Sequence, residues 1–169
     1  MTQNSTTLEQ ARAQWDIAIR NKGDHCPCCG KWGKVYKVGI SHAMMKALLW
    51  MASTYGEKWI DMPREAPRWL IQTYTFATLK WWRLIEQMPS EVVEYDEAGQ
   101  EKKFSGYWRV TPLGVQFAKG RVQVAKHVYL YDNSLMDVST ETVYIRDCVG
   151  KKFNYSEIMD HTWGENNYS

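Results

Sequence analysis

No stretch of this chain is apolar over the roughly 18–20 residues that a membrane-spanning helix requires, so no membrane association is expected. The opening residues, MTQNSTTLEQ, lack the basic and apolar regions of a secretory signal, which gives a cytoplasmic expectation. Also missing are the phosphate loop G-x-x-x-x-G-K-[ST], the zinc-protease H-E-x-x-H, the nucleophile elbow G-x-S-x-G and the dinucleotide loop G-x-G-x-x-G. Asp, Glu and His are scattered, and no constellation marks a catalytic centre, so the chain reads as a non-enzyme. A large net charge is absent too: at +2, the chain as a whole does not argue for nucleic acid. Cysteine is scarce. There are four, and three of them crowd into residues 26–29, which suits a metal or reduced thiols better than a disulfide framework.

What the chain has in excess is aromatic residues, with Trp 9 and Tyr 10 in 169 residues. Large rings can fill a sizeable core, and they also stack on bases and anchor protein interfaces. Charge is unevenly spread. Residues 1–50 hold seven Lys and Arg (Arg12, Arg20, Lys22, Lys31, Lys34, Lys37, Lys46) against three acids. Residues 84–101 hold six acids (Glu86, Glu91, Glu94, Asp96, Glu97, Glu101) and no Lys or Arg.

Near the start, Leu8, Ala11, Trp15, Ala18 and Ile19 recur at three and four residues, the spacing of a helix that ends at Asn21-Lys22-Gly23-Asp24. His25-Cys26-Pro27-Cys28-Cys29-Gly30 follows. C-P-x-C-G is the form of a zinc knuckle, in which Cys26 and Cys29 share one metal and Gly30 permits the tight turn. A structural zinc takes four ligands, and no second C-x-x-C or H-x-x-x-H is present. His25, Cys28, His42, His127, Cys148 and His161 are the candidates to complete the set; the alternative is a metal-free turn. Residues 31–40 read as one strand with Val35 or Tyr36 facing inward, either a lysine-protected edge or a basic, aromatic surface for phosphates and bases.

Ser41 is a good N-cap for an almost wholly apolar helix, residues 43–55, ended by Gly56. Lys58 to Asp61 reads as a short strand, and Pro63 and Pro67 frame a turn before a second helix, Arg68 to Gln72. The central stretch, Leu70 to Gly120, then predicts a third helix around Tyr74, Phe76, Leu79, Trp81 and Trp82. Leu84-Ile85 opens an outgoing strand, Asp96-Glu97-Ala98-Gly99 is a turn, and Phe104 to Val110 is the returning strand. Thr111-Pro112 caps a short last helix that stops at Gly120. Residues 122–131 and 142–146 read as strands linked through Asp132-Asn133-Ser134, and Ser156 to Asp160 as a short helix.

Helix, strand, tip, strand, short helix is the order of a winged helix. Leu79-Lys80-Trp81-Trp82-Arg83-Leu84-Ile85-Glu86 resembles the end of a recognition helix entering the wing, and Gly106 to Gly114 resembles the returning strand and the L-T-x-x-G that follows it in winged-helix regulators. Arg83 departs from the pattern, standing where such modules often place glycine, so the helix-to-strand corner is expected to differ. As a whole the chain is similar to uncharacterised bacteriophage proteins that join an N-terminal cysteine knuckle to such a module. The expectation is an α+β fold in three parts: helix and knuckle at 1–40, a winged-helix module at 41–120, and at 121–169 C-terminal strands and a short helix packed on it.

The resemblance implies a nucleic-acid-binding regulator of phage origin, with duplex DNA as ligand. Gln72, Thr75, Thr78, Lys80 and Arg83 lie on the reading helix or at its ends, and Lys34, Lys37 and Lys46 add phosphate contacts. The alternative is a protein-binding modulator or inhibitor of a host or defence complex. It would use Glu91, Glu94, Asp96 and Glu97 of the wing, whose carboxylates phosphate would repel.

Overall fold

The computed structural model describes residues 5–89, 95–101 and 106–148. In chain order they form α1 (Leu8–Arg20), β1 (Asp24–His25), β2 (Trp32–Gly33), β3 (Tyr36–Gly39), α2 (His42–Tyr55), β4 (Ile60–Asp61), α3 (Met62–Glu65) and α4 (Arg68–Ile71). A 3-10 helix (Thr75–Trp82), β5 (Ile85–Gln87), β6 (Tyr107–Val110) and α5 (Pro112–Ala118) follow. The remainder is β7 (Val124–Ala125), β8 (His127–Tyr131), β9 (Ser134–Val138), β10 (Thr142–Val143) and a 3-10 turn (Ile145–Cys148). The architecture is mixed α+β with antiparallel sheets, and no helix among the described residues is long and apolar enough to cross a membrane. The chain divides into two compact units.

The first unit joins the residues up to Gly39 with His127–Thr140. Thr7 and Gln10 form a reciprocal capping box that starts α1, each side chain bonding the other's backbone N–H. β1 and β2 make a hairpin whose strand β2 packs on α1: a Cβ on Gly33 would lie 2.6 Å from the Trp15 ring, so only glycine fits there. Residues 31–40, expected as one strand, break in two. The Val35 N–H leaves the ladder and donates to the Ile19 carbonyl of α1 at 2.7 Å, and Val35 is buried while Tyr36 is exposed. β3, β8 and β9 form a three-stranded sheet in the order β3-β8-β9. Asp132 and Asn133, at φ 47° and 56°, are the two-residue loop between β8 and β9. Asn and Asp tolerate the left-handed region that such a tight hairpin needs.

The second unit joins Ile40–Lys126 with the residues from Glu141 on. Ser41 Oγ accepts the Met44 N–H at 3.2 Å and starts α2, which buries Met44, Met45, Ala47, Leu48, Leu49, Met51 and Ala52. α2 packs on the 3-10 helix, on α5 and on β6. β4, β6 and β5 form an antiparallel sheet with β6 in the middle, Ile85 opposite Val110 and Ile60 opposite Trp108. Leu48, Leu49, Leu79, Leu84, Ile85, Trp108, Val110 and Phe117 are all buried, and Phe76 meets Trp108 edge to face at 5.5 Å. Beyond β5, Tyr95 bridges Glu101 across a turn closed by Gly99 N to Asp96 O at 2.9 Å.

Two local expectations change. The third helix is 3-10 rather than α over its eight residues. Its buried side chains are Phe76, Leu79 and Trp82, spaced by three, and in a 3-10 helix residues three apart eclipse, so this geometry alone lines them on one face. Trp82 also donates its indole N–H to the Ala125 carbonyl at 2.7 Å, tying β7 to the helix end. At the corner, Arg83 adopts the left-handed conformation itself, at φ 58°, ψ 26°.

Residues 121–148 are shared between the units rather than forming one appendage: β8 and β9 belong to the first, β7 and β10 to the second. The expected strand at 142–146 ends after Val143, where Asp147 Oδ2 accepts the Tyr144 N–H at 2.9 Å and turns the chain. The helix expected at 156–160 lies outside the described residues.

Candidate functional site

The 3-10 helix presents two rows of side chains beside its buried one. One row is Thr75, Thr78 and Trp81; the other is Ala77 and Lys80, and Arg83 follows as the left-handed C-cap, outside that phase. Thr75 and Arg83 are exposed, and Thr78 and Lys80 half-buried. Lys80 Nζ lies 4.8 Å from the Trp81 ring centroid, and Thr75 Oγ1 is 3.1 Å from Thr73 Oγ1. Gln72, at the end of α4, is exposed. So is Lys46, whose ammonium lies 5.1 Å from the centroid of the Trp69 ring. A cation held over an indole face keeps its charge available while its stem is fixed.

Sequence reasoning missed two rings at this end of the unit. Trp69 is 48% exposed and Tyr74 is 50% exposed. Tyr74 stands in the left-handed region at φ 55° just before the 3-10 helix, with its ring 4.9 Å from that of Phe76. A tryptophan beside Arg68 in a short polar-flanked helix was the available signal.

Lys34 and Lys37 belong to the first unit, so the predicted basic set is not confined to one unit. Lys34 Nζ is 5.6 Å from the Tyr36 ring centroid, and Lys37 is exposed on β3. Of the wing acids, Glu91 and Glu94 lie outside the described residues. Asp96 and Glu97 are exposed at the tip, but Asp96 Oδ1 accepts the N–H groups of Ala98 (2.9 Å) and Gln100 (2.8 Å) and so forms the turn. On the returning strand Arg109 is paired with Glu86 and lies over the Trp59 ring at 4.4 Å.

The cysteine hairpin is built as a turn that faces its sulfur. Cys26 N donates to Lys31 O at 2.7 Å, Gly30 N donates to Cys26 O at 2.8 Å, and Gly30 takes φ 73°. The backbone N–H of Cys29, then that of Cys28, bond the Cys26 sulfur and hold its thiol below the ordinary value. His25 Nδ1 is 3.0 Å from the Gly30 carbonyl, which orients the ring within the turn. Cys28 and Cys29 are exposed. Cys148 and His42 are in the second unit and His127 is on β8, while His161 lies outside the described residues. Among the described residues no group of three or more His, Cys, Asp and Glu is placed to hold a metal ion.

Comparison of the chain with protein-family models, curated proteins and solved structures gives no match.

Proposed function

We propose that this chain is a nucleic-acid-binding regulator of winged-helix type, with duplex DNA as its ligand and without catalytic activity. The element order supports the winged-helix reading: α2, a short β4, helices α3 and α4, the 3-10 helix, then β5 and β6 joined to β4 in one antiparallel sheet. The observation that carries the functional reading is the phase of the 3-10 helix. Burying Phe76, Leu79 and Trp82 leaves Thr75 and Thr78 in one row and Lys80 in the other, with exposed Arg83 at the helix's C-cap, hydroxyl donors near cations. Threonine hydroxyls can bond base edges, and Lys and Arg can bond phosphate or guanine. Lys46 and Gln72 extend the polar set on neighbouring elements. Arg109 is engaged with Glu86, and the tip between Tyr95 and Glu101 carries Asp96, Glu97 and Glu101 without a cation, so the helix rather than the wing carries the contact.

The test is fluorescence anisotropy of labelled duplex and single-stranded oligonucleotides at low salt. Saturable binding of duplex, weakened by salt, is the expected result. No binding at roughly tens of micromolar protein, the scale of non-specific affinity, overturns the reading.

A second reading rests on the same tip. An exposed acidic turn suits a basic protein surface, as in a modulator of a host or defence complex, with Glu97 and Glu101 as the contacts and Asp96 as the residue that shapes the turn.

A further inference from the structure

The cysteine hairpin carries three free thiols, Cys26, Cys28 and Cys29. Its turn is closed by the Gly30 N–H on the Cys26 carbonyl at 2.8 Å, which sets Cys26 and Cys29 three residues apart on one turn. The surroundings sort the three sulfurs. Cys26 and Cys29 line the same hollow of ≈ 310 Å³. Cys28 lines a different one, against α1, with Leu8, Ala11 and Gln14. The fold therefore presents one pair of thiols to a common space and places the third elsewhere.

The two thiols of the pair also differ chemically. The Cys26 sulfur accepts the backbone N–H groups of Cys29 and Cys28 and a further bond from the Cys29 side chain, which favours its thiolate. Thiolate is the form that attacks a disulfide sulfur. Cys29 is exposed, and its thiol already touches the Cys26 sulfur, the place a resolving thiol must occupy. Sulfurs in contact can be bridged without moving the backbone. Trp32 and Tyr36, 50% and 54% exposed, wall the hollow with ring surface, and its volume suits a small molecule.

We propose that Cys26 and Cys29 form a dithiol that exchanges with a low-molecular-weight disulfide in this hollow and closes to a reversible Cys26–Cys29 disulfide. In the first step the Cys26 thiol gives its proton to solvent, and its sulfur attacks one sulfur of the small disulfide. A mixed disulfide forms, and the expelled thiolate takes a proton back from solvent. In the second step the Cys29 sulfur attacks the Cys26 sulfur, and the Cys29 proton goes to the second departing thiolate. Two electrons pass from the protein sulfurs to the small disulfide, which leaves as two thiols. Cys28 takes no part. The site lies in the first unit and rests on none of the nucleic-acid argument.

The test is incubation of the full chain with glutathione disulfide near neutral pH, read by mass spectrometry without reduction. The expected product is lighter by two hydrogens and carries no glutathione, and dithiothreitol restores the starting mass. Alkylation of that product under denaturing conditions should label Cys28 and Cys148 only. Cys29→Ser should stop at the mixed disulfide, with glutathione retained on Cys26. Cys28→Ser should close the disulfide as the unmutated chain does. The pairing in the unmutated chain needs no substitution, so it decides the proposal even where circular dichroism shows a variant to be misfolded. A glutathione adduct that persists on the unmutated chain, a bond that includes Cys28, or a disulfide between chains overturns the proposal. So does a chain left unreacted under conditions that oxidise free cysteine.

Discussion

Thr111 Oγ1 donates a hydrogen bond to the Arg83 carbonyl at 2.6 Å and also accepts the Gly114 N–H at 3.0 Å. One hydroxyl therefore fixes the corner where the 3-10 helix turns into β5 and caps α5. The backbone adds a third tie, Thr111 N to Leu84 O at 3.0 Å. Arg83 is held in the left-handed region by this arrangement, a conformation that disfavours a side chain with a Cβ.

Arg83→Gly should therefore stabilise the protein, by about 1 kcal/mol after allowing for the greater freedom of glycine in the unfolded chain. The same substitution removes a proposed phosphate contact and should weaken duplex binding. Urea unfolding and anisotropy on one variant check both halves. A destabilised Arg83→Gly would mean that the side chain, not the backbone, holds the corner. Thr111→Ala should cost about 1 kcal/mol or more, since the cap and the Arg83 tie are lost together.

Gly114 is confined for a different reason. A Cβ there would overlap the Leu84 carbonyl oxygen and sit 2.6 Å from Val110 Cγ1. Backbone cannot step aside as a flexible side chain does. Gly114→Ala should cost about 1–3 kcal/mol, the range of overpacking in a tight core, and should show as a lower urea midpoint with an unchanged slope.

The legible parts of this fold were those written in local patterns. The caps at Ser41 and Thr111 and the apolar run of α2 all carry short-range signals, and the structure has them at those residues. The pairing of β3 with β8 has no local signature, because Tyr36 and Leu130 meet across most of the chain. β9 was read as linker for a related reason. Ser-Leu-Met-Asp-Val is exposed along its length and lacks a buried alternate face, so no period-two signal marks it. The 3-10 helix was readable in retrospect: Phe76, Leu79 and Trp82 repeat every three residues, where an α-helix would also favour a fourth. The exposed ring of Tyr74 was not readable, since composition cannot tell a core aromatic from a surface one, whereas Trp32 lies in the stretch 31–40 that reads as a basic, aromatic surface and Trp69 stands beside Arg68 in a short helix.

The two thiol environments should separate in alkylation. Cys26, with N–H groups of Cys29 and Cys28 on its sulfur, has its pKa lowered, so more of it is thiolate at neutral pH. Cys148 is pushed up to about 11 by burial and by the Asp147 charge, and its sulfur lies 3.6 Å from the Tyr144 carbonyl. In chelator near neutral pH, iodoacetamide should modify Cys26 well before Cys148, as read by peptide mass spectrometry. The sign for stability follows from the same raised value. The folded protein keeps the Cys148 proton that the unfolded chain releases near its ordinary value of 9.0, so this stabilisation is present below that pH and is lost as pH rises toward about 11. Equal modification rates for the two thiols at neutral pH would contradict the assignment.

Charge reversal on the 3-10 helix and neutralisation of the tip distinguish the two functional readings. If the helix contacts DNA, Lys80→Glu and Arg83→Glu should each weaken duplex binding strongly. Each lost phosphate contact should also flatten the dependence of log affinity on log salt by about one unit. Glu97→Gln and Glu101→Gln remove repulsion from an exposed turn and should tighten DNA binding, more at low salt than at high. Asp96→Asn is the less clean variant, because Asp96 Oδ1 holds two backbone N–H groups of the turn. Under the protein-partner reading the pattern inverts: the tip variants weaken association with a basic partner, and neither they nor the helix variants alter a DNA signal that is already absent. Tip variants that tighten duplex binding while helix variants abolish it would establish the helix as the reading surface and the acidic wing as a brake on non-specific binding.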